Sequence, residues 1–564
     1  MSRDKSRLLP PQIARWRVPA LAAAALLGAP VAWGACTDTA TQGRASSNSV
    51  CTATQGTYVN RADALLATSG GTLTVGQSVT FTTGSSIGPM DYAHIRADGD
   101  DSLIHFKGDV SVPQAGVVET AALMAMDGGQ IRVDGATRVD LQAGPGIHRM
   151  GVFSDETGSL IALGAVSVVS SGANQTRGLV AEHGGKLSYQ SANIDFRGRN
   201  YAIGIRQTHP NGDVIGGDTT IQVSGPNSWG VQVFGPIHIN GALNLDSADG
   251  IGLRFFNTGQ IHLGAGAQIR GTSGAAVSIR GQHAAPLVAA AGLQIHYTDP
   301  GSIAFDVRNA APARTDLAHA AVAAETLWQA TGGNYTFNAQ GGAYTGKAAG
   351  NARFTLNMSA AAKWKLNADS ALGRMELTGD AVLSLDSSHT LTASHADGVK
   401  NTGGIIDLRD TAPAVGDVLT IAGNYAGGGS GSKLKLDVNL ASGGNHAIGL
   451  DADALLVNGD VTGSTQIEVT ALPGAGIATS GNGILVARVT GTAPATAFSL
   501  PAPVVSGGFQ YTLHQVGNEW FLQSSAYVAP GVAPVPALSH LGLLLTGGLL
   551  AGAAARARRG RKKA

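Results

Sequence analysis

The chain has 564 residues, of which 79 are glycine, with 43% hydrophobic, 13% charged and 5% aromatic residues and a formal net charge of zero. This hydrophobic content at zero net charge excludes an intrinsically disordered chain, and the lack of a basic excess argues against nucleic acid as a partner. The length predicts several domains or one elongated repeat array, and the abundant glycine favours many short strands joined by turns.

The first 35 residues are typical of a secretory signal peptide. Basic residues precede the apolar run VPALAAAALLGAPVA, and the small residues of AWGA at 32–35 suit cleavage. We therefore exclude residues 1–35 from the fold and expect the Sec translocon and signal peptidase as partners. The alternative is a lipoprotein with a lipid on Cys36, although Trp33 stands where such sites usually carry an aliphatic residue.

The sequence contains two cysteines, Cys36 and Cys51, just beyond this cleavage site. In an oxidising compartment we predict that they form a disulfide, and the loop-entropy model gives a loop of this size about 3 kcal/mol. Two thiols without further ligands nearby do not form a metal site. We expect no metal and no cofactor.

A short pattern of glycine followed by alternating apolar residues recurs between about Gly70 and Gly281. It appears as GGTLTV (70–75), GGQIRV (128–133), TGSLIAL (157–163), GGKLSY (184–189), FGPIHI (234–239) and TGQIHL (258–263). Between these segments lie second anchors: GVF at Gly151, GLV at Gly178, GIR at Gly204, GVQV at Gly230 and GLR at Gly252. The anchors are 27, 26, 26 and 22 residues apart, and a period in the twenties carried by strands is typical of a solenoid.

The period-2 alternation within the repeats predicts how such a solenoid is built. Every second side chain points inward, and strands of successive coils pair so that their apolar faces form one continuous core. Glycines are expected at the corners, where a positive φ is often needed. We predict an all-β right-handed parallel β-helix for residues 36–363, in preference to a β-propeller or a β-sandwich.

An alanine-rich stretch, NAAPARTDLAHAAVAAETLWQATGG at about 309–332, interrupts the pattern. We interpret it as a plain insertion loop, with a short helix projecting from the rod as the alternative.

An enzyme of the β-helical polysaccharide lyase or hydrolase class would need clustered carboxylates on adjacent coils. The densest acidic stretch is RADGDDS (96–102), which lacks the ligand spacing of a calcium loop and is interpreted as a solvated turn. GGGSGS (427–432) is likewise interpreted as a turn around Ser430. His94, His105 and His148 occur singly. Three carboxylates, or a Lys or Arg, meeting in a groove across neighbouring coils would favour the enzyme.

Residues 364–525 contain a more specific series of sequence blocks. In order, these are WKLNADSALGRMELTGDAVLSL, DVLTIAGNYAGGGSGSKLKLDVNL, DALLVNGDVTGSTQIEV, GNGILVARVTG, FSL and YTLHQVGNEWFLQ. They resemble the C-terminal part of a pertactin-like autotransporter passenger, including its autochaperone region, and the upstream repeats resemble such passengers more loosely. The resemblance implies a secreted β-helical surface protein of a Gram-negative bacterium, often an adhesin or virulence-associated factor. It also implies an early-folding region that caps the rod, helped by Phe509, Trp520 and Phe521.

The chain departs from this family at its C-terminal end. Autotransporters continue into an outer-membrane β-barrel, whereas only about forty residues follow Trp520 here. We therefore expect export by another system, or retention on the periplasmic side.

A linker at 526–534 is followed by a hydrophobic segment at 535–564 that ends in a basic tail. This segment resembles the IPTL-CTERM sorting signals, a relative of the PEP-CTERM class. The implied motif comprises Val535, Pro536, Ala537, Leu538, Ser539 and Gly542. The basic stop comprises Arg556, Arg558, Arg559, Arg561, Lys562 and Lys563. About twenty apolar residues can span a bilayer as a transmembrane helix with the basic end cytoplasmic, until a sorting peptidase cleaves near the motif. The alternative is a permanent anchor.

The sequence thus predicts a non-enzymatic, surface or cell-envelope β-helical protein of adhesin type with an unknown host or surface ligand. It would be anchored in the inner membrane with its body in the periplasm, or displayed on the surface after sorting. The alternatives are a carbohydrate-active β-helical enzyme and a degenerate autotransporter that has lost its barrel.

Overall fold

The computed structural model describes residues 36–39, 42–59, 62–82, 92–114, 120–142, 149–171, 174–281, 287–289, 291–309, 312–444 and 447–527. Every regular secondary-structure element within these residues is a β-strand. The first part of the chain forms β1 Thr37–Thr39, β2 Gln42–Ser46, β3 Val50–Ala53, β4 Thr57–Val59, β5 Leu65–Thr68, β6 Thr72–Val75, β7 Val79–Thr82, β8 Tyr92–Asp98, β9 Leu103–Phe106, β10 Val110–Gln114, β11 Thr120–Met126, β12 Gln130–Val133, β13 Thr137–Leu141, β14 Arg149–Asp155, β15 Leu160–Val169, β16 Thr176–Glu182 and β17 Lys186–Phe196. The middle part forms β18 Ile203–Gln207, β19 Asp213–Val223, β20 Trp229–Val233, β21 Pro236–Ile239, β22 Leu243–Asp246, β23 Ile251–Phe256, β24 Gln260–Leu263, β25 Gln268–Gly271, β26 Ala275–Gly281, β27 Leu287–Ala289, β28 Gln294–Tyr297, β29 Ile303–Asn309, β30 Ala313–Ala318, β31 Ala321–Ala330, β32 Tyr335–Gln340, β33 Ala343–Gly350 and β34 Phe354–Ser359. The last part forms β35 Lys363–Leu366, β36 Ser370–Leu372, β37 Arg374–Leu377, β38 Val382–Leu385, β39 His389–Ala393, β40 Val399–Asn401, β41 Ile405–Asp407, β42 Val418–Ala422, β43 Tyr425–Val438, β44 Ala454–Val457, β45 Val461–Ala471, β46 Ile484–Val489, β47 Phe498–Ser499, β48 Val504–Ser506, β49 Phe509–Val516 and β50 Glu519–Ala526.

The strands stack into three parallel rows, which we call the first, second and third sheets. The first sheet runs in the order β2, β5, β8, β11, β14, β16, β18, β20, β23, β26, β29, β31, β33, β36, β39, β42, β44, β46. The second runs β3, β6, β9, β12, β15, β17, β19, β21, β24, β27, β30, β32, β34, β37, β40, β43, β45, β47. The third runs β4, β7, β10, β13, β15, β17, β19, β22, β25, β28, β31, β33, β35, β38, β41, β43, β45. Long strands such as β15, β17 and β19 turn the corner between the second and third sheets. The prediction of a parallel β-helix is therefore confirmed, as a solenoid of more than a dozen turns, and its handedness stays a prediction.

The core is a continuous column of inward side chains. In the first sheet Val152, Leu179, Ile205, Val231 and Leu253 stack in register on successive strands, and none of them is exposed. At about 25 cal/mol per Å² of apolar surface removed from water, each such side chain contributes roughly 1.5–3 kcal/mol. No single turn could bury this face without its neighbours.

The repeated glycines have two structural roles, of which the sequence predicts one. Corner glycines such as Gly128, with φ 87°, adopt the left-handed conformation as expected. The anchor glycines instead lie inside strands of the first sheet. A Cβ on Gly204 would lie 2.6 Å from the Gly230 carbonyl oxygen and 2.7 Å from Ile221 Cγ2. At this anchor the reason for glycine is therefore close packing rather than backbone angle.

Antiparallel strands occur at both ends of the described solenoid. At the start, β1 pairs antiparallel with β2. At the end, β50 pairs antiparallel with β46 and with β49, and β49 pairs with β48. Trp520 is 1% exposed and packs edge-on against Phe498, with ring centroids 4.9 Å apart. The predicted cap with its aromatic residues is present.

The interpretation of 309–332 as a loop or a projecting helix is wrong. β30 and β31 pair within the sheets, and the side chains of β31 largely alternate between buried and less buried positions. Trp328 is fully buried and contacts Phe337 and Trp364, with ring centroids 5.1 and 5.3 Å away. The helical propensity of alanine is a weak preference, and burial of these alternating side chains overrides it.

The predicted signal peptide (1–35) and the sorting segment with its basic stop (535–564) lie outside the described residues. Across the described ranges, none of the regular elements is an apolar helix of membrane-spanning length.

Candidate functional site

The predicted disulfide is present. Cys36 and Cys51 are joined with their Cα atoms 5.4 Å apart, which ties the segment before β1 to β3. The same sulfur of Cys36 cannot also carry a lipid, so the lipoprotein alternative does not fit this structure. The bond closes the solenoid at the end opposite to the antiparallel cap.

The other residues singled out from the sequence do not come together into one site. Asp100 and Asp101 form an exposed turn, as interpreted, and Asp98 pairs with Arg96 at 2.8 Å. His94 is buried beside Phe81, whereas His105 bonds to Asp134 at 2.8 Å.

One remaining residue lies outside the described part of the chain, and one remaining segment differs from its interpretation. His148 is outside the described residues. The GGGSGS segment is not a simple turn, because it belongs to β43, whose pairing with β45 skips residues between Gly429 and Lys433 as a bulge. Across the described ranges, no group of three or more His, Cys, Asp or Glu residues could hold a metal ion.

A charged groove of about 490 Å³ crosses neighbouring turns of the second sheet. We call it the charged groove, and its ionisable lining residues are Arg374, Glu376, Asp397, Lys400 and Asp460. It is the convergence of carboxylates and basic residues that would favour an enzyme.

The carboxylates of the charged groove already have partners. Asp397 lies 3.3 Å from Arg374, and Glu376 lies 3.3 Å from Lys400. Asp460 accepts hydrogen bonds from the backbone N–H and the hydroxyl of Thr492, which hold the pKa of its carboxyl below the usual value. A carboxyl with a lowered pKa is a poor proton donor near neutral pH, so Asp460 does not suit the role of a general acid.

A second set of carboxyls lies buried near the end of the solenoid. Asp453 is 1% exposed and accepts backbone hydrogen bonds from Gly416 and Asp417, both at 3.1 Å, and from Asp437 at 2.8 Å. Burial raises the pKa of Asp453 to about 7, against these hydrogen bonds, which lower it. The network holds three backbone segments together, and its residues do not line the charged groove.

The first sheet carries a groove of about 390 Å³ on its outer side, spanning β16, β18 and β20. We call it the arginine–aromatic groove, and its principal side chains are Arg177, Tyr201, Arg206, Trp229, Gln232 and the neighbouring Arg254. Three of these occupy one outward column, because Arg206 pairs in register with Gln232 and Gln232 with Arg254. The strand periodicity that buries Ile205, Val231 and Leu253 therefore points the next residue of each strand outward.

Aromatic rings hold the guanidinium of Arg254. Its Cζ lies 4.2 Å from the centroid of the Trp229 ring and 4.7 Å from that of Phe256. Phe256 in turn stacks on Phe234, with centroids 4.4 Å apart. Cation–π contacts of this kind fix the orientation of a guanidinium and contribute about 0.5–2 kcal/mol.

The charges of the groove are unevenly balanced. Glu182 Oε1 lies 3.2 Å from Arg206 Nη1 and 4.0 Å from Arg177 Nη1, so one carboxylate serves two guanidiniums. Arg254 forms no ion pair with any carboxylate in the part of the chain that the structure describes. Burial, and then the charge of Arg280, lower the pKa of Arg254.

The segments that build this groove stand out in the sequence, whereas the groove itself does not. GIR, GVQV and GLR were treated as anchors of the repeat, and their third residues are Arg206, Gln232 and Arg254. The signal for this groove in the sequence was the occurrence of two arginines and a glutamine at the same repeat position. The contribution of Trp229 depends on which turns are neighbours, which the spacing alone does not give.

Comparison with known proteins identifies the end of the solenoid. Residues 394–513 match the family model of the Autochaperone Domain Type 1. We call this stretch the autochaperone region. It contains the buried Asp453 network and lies within the 364–525 span for which the sequence predicted it.

Two curated relatives come from Escherichia coli strain K12. The chain is 34% identical over 132 residues to the uncharacterized protein YuaQ and 35% identical over 136 residues to the probable autotransporter YfaL. These matches cover 22% and 23% of this chain, but only 9% and 10% of the two relatives.

Two solved structures align with most of this chain. The Haemophilus influenzae Hap adhesin has a TM-score of 0.32 at 11% identity, with 86% of this chain and 64% of that chain covered. The autotransporter UpaB from E. coli strain CFT073 has a TM-score of 0.28 at 10% identity, with 87% of this chain and 100% of that chain covered.

Proposed function

We propose that this chain is an exported, non-enzymatic β-helical protein of the cell surface or cell envelope of a Gram-negative bacterium, with an adhesive role. The observation that carries the proposal is the autochaperone match at the end of one continuous parallel solenoid. A long rod with grooves on more than one of its sheets offers surface for contact along its length. The disulfide supports passage through an oxidising compartment.

The proposed route begins with the Sec translocon and removal of residues 1–35 by signal peptidase. The hydrophobic segment from Val535 then holds the chain in the inner membrane, with the basic tail from Arg556 to Lys563 on the cytoplasmic side. A sorting peptidase releases the body near Val535, and the body reaches the surface. Support for this route comes from the sequence of the two terminal segments.

Fractionation of cells that express an epitope-tagged chain tests the route. We expect the body in the outer-membrane or surface fraction, accessible to added protease, with mass spectrometry showing loss of everything after about Val535. A body that stays in the inner membrane with an intact C-terminus would disprove sorting. A deletion strain that attaches to host cells or surfaces as well as its parent would disprove the adhesive role.

The charged groove supports a second candidate, a carbohydrate-active enzyme. Its three carboxylates and two basic residues cross neighbouring turns, as such a site requires. Against this candidate, the carboxylates are engaged by Arg374, Lys400 and Thr492. Polysaccharide cleavage by the purified chain that is lost in both Glu376→Gln and Asp397→Asn would establish the enzyme and overturn the non-enzymatic proposal.

A further inference from the structure

In the arginine–aromatic groove, side-chain atoms of Arg206, Gln232 and Arg254 have no hydrogen-bond partner among the described residues. We propose that this groove binds a carboxylate-bearing oligosaccharide, with Arg254 pairing with the carboxylate and the aromatic side chains contacting the sugar rings. This inference rests on the proposed function, because it names the class of ligand that a displayed adhesive rod would contact.

Arg254 differs from the other arginines of the groove in its charge balance. Arg177 and Arg206 share Glu182, whereas Arg254 has no carboxylate partner among the described residues. Its neighbour Arg280 carries the same charge and is itself paired with Asp306 at 2.7 Å. A half-buried guanidinium without a counter-ion favours an anionic group of the ligand, and a planar carboxylate suits its fork of donors.

Three buried polar atoms beside the groove lack hydrogen-bond partners. Gln232 is 6% exposed, and its buried Oε1 has no hydrogen-bond partner. The buried Nε atoms of Arg206 and Arg254 have none either. Buried polar atoms are normally paired, so a small shift of these side chains toward a ligand that donates to Gln232 and accepts from the two arginines would satisfy all three. Sugar hydroxyls do both, whereas a simple anion only accepts.

The groove also offers aromatic surface of suitable extent. Tyr201 lines the groove and is 47% exposed. Together with Trp229 it offers apolar ring surface, which suits the C–H faces of sugar rings. Four stacked strands, β16, β18, β20 and β23, span about 14 Å, which fits a short oligosaccharide rather than a single sugar.

Charge density separates this ligand from nucleic acid, which stacking rings and arginines also bind. A single strand carries one phosphate per nucleotide and needs a continuous basic track. Here Arg254 is the one arginine of the groove without an ion pair among the described residues, and the chain has a formal net charge of zero. A glycan whose carboxylates are separated by neutral hydroxyls matches that pattern.

The experiment uses the full chain and short oligogalacturonides, with their fully methyl-esterified forms as neutral counterparts. Binding is measured by calorimetry and by the tryptophan fluorescence to which Trp229 contributes. We expect the acid form to bind and esterification to weaken binding about tenfold, the usual scale of one charge-assisted hydrogen bond. Arg254→Met should cause the same loss while keeping the apolar contact with the rings.

Arg270→Met is the matched control, because Arg270 is an exposed arginine of the third sheet and its loss changes the net charge equally. It should bind as the unaltered chain does, and thermal unfolding checks that both variants are folded. Equal affinity for acid and ester, unchanged binding by Arg254→Met, no sugar binding, or binding of single-stranded DNA or of dextran sulfate, which has no carboxylates, in preference to the acid sugars would each overturn the inference. If the chain is located on the surface but fails these tests, the inference is wrong and the proposed function stands. If the chain binds the acid sugars but stays in the periplasm, the proposed surface display is wrong and the binding site stands.

Discussion

The upstream turns and the autochaperone region obey one stacking rule but place their polar groups differently. Around β14–β23 the interior is mainly aliphatic, although Phe196, Phe255 and one charged residue, Arg149, are also buried. Most other charged groups there, such as Arg206 and Asp195, lie on the outside. In the autochaperone region Asp437 and Asp453 are each 1% exposed, and buried aromatic residues and antiparallel strands follow. A repeating turn offers the same edge to the next turn, so repetition alone never ends the rod. Ending it takes contacts that do not repeat.

The largest expected effect comes from removing an aromatic residue of the cap. Trp520→Ala should lower the free energy of unfolding by about 3–5 kcal/mol, because it empties a buried site against Phe498. Trp229→Ala, in the partly exposed groove, should cost about 1 kcal/mol or less. Denaturant titration of the full chain measures both.

If the autochaperone region together with the antiparallel strands that follow it also nucleates folding, Trp520→Ala should slow refolding whereas Trp229→Ala should not. Equal destabilisation and equal refolding rates for the two variants would show that the cap and the upstream turns do not differ in this respect.

The second prediction uses pH, which should act with opposite sign on the two regions. The folded-state pKa of Asp453, about 7, lies above its ordinary value of 3.8, so the folded state holds this proton more tightly. Its contribution to stability is full below about pH 4 and is lost as the pH rises to about 7, by at most roughly 4 kcal/mol. Hydrogen exchange in peptides covering β42–β45, corrected for its intrinsic pH dependence, should reveal this loss.

The upstream carboxyl Asp195 provides the contrast. Its hydrogen bonds from Arg197 lower its pKa, so its contribution is present above its ordinary pKa and is lost as the pH falls. Asp453→Asn should abolish the pH dependence in β42–β45 and leave that of β17–β19 unchanged. Retention of the slope in Asp453→Asn would mean that another group causes it.

A third prediction concerns the N-terminal disulfide. Cys36→Ser combined with Cys51→Ser should cost about 3 kcal/mol in the loop-entropy model. Because each turn of a solenoid contacts only its neighbours, the loss of hydrogen-exchange protection should be confined to the first turns, from β1 to about β6. Loss of protection as far as the autochaperone region would contradict this local coupling.

The smallest effect is expected at an anchor glycine. Gly204→Ala should cost about 1–3 kcal/mol, because the added Cβ meets the Gly230 carbonyl oxygen and Ile221. Gly76→Ala is the matched control, since no atom lies within 4 Å of the position of its Cβ. Thermal unfolding should separate the two variants, and equal melting temperatures would show that the anchors are not close-packed as described.

The repeat made most of the fold predictable. Alternation and the intervals between Gly151 and Gly252 sufficed for a stacked parallel solenoid, because they follow directly from which side chains point inward. The error at Ala321–Ala330 has the opposite origin. The run of alanines does not show which side chains of this segment are buried. The contact that does, between Trp328 and Trp364, joins residues 36 positions apart in the sequence.

The candidate sites were less predictable than the fold. The disulfide could be predicted because two cysteines allow one pairing. The charged groove combines Glu376, Asp397 and Asp460, whose spacing follows no motif, and the arginine–aromatic groove needs the register between Trp229 and Arg254. Register depends on the length of every intervening corner, which propensity does not determine.

The equivalence of Gly178 and Gly204 in β16 and β18 has a consequence for how such a molecule can vary. Excising or duplicating the 26 residues from one to the next rejoins the backbone at a matching place, so every remaining turn keeps its neighbours. The reach of the rod can therefore change in whole steps of about 4.8 Å. Duplication or deletion of one repeat in the gene can therefore change the length of the rod without changing how its core packs.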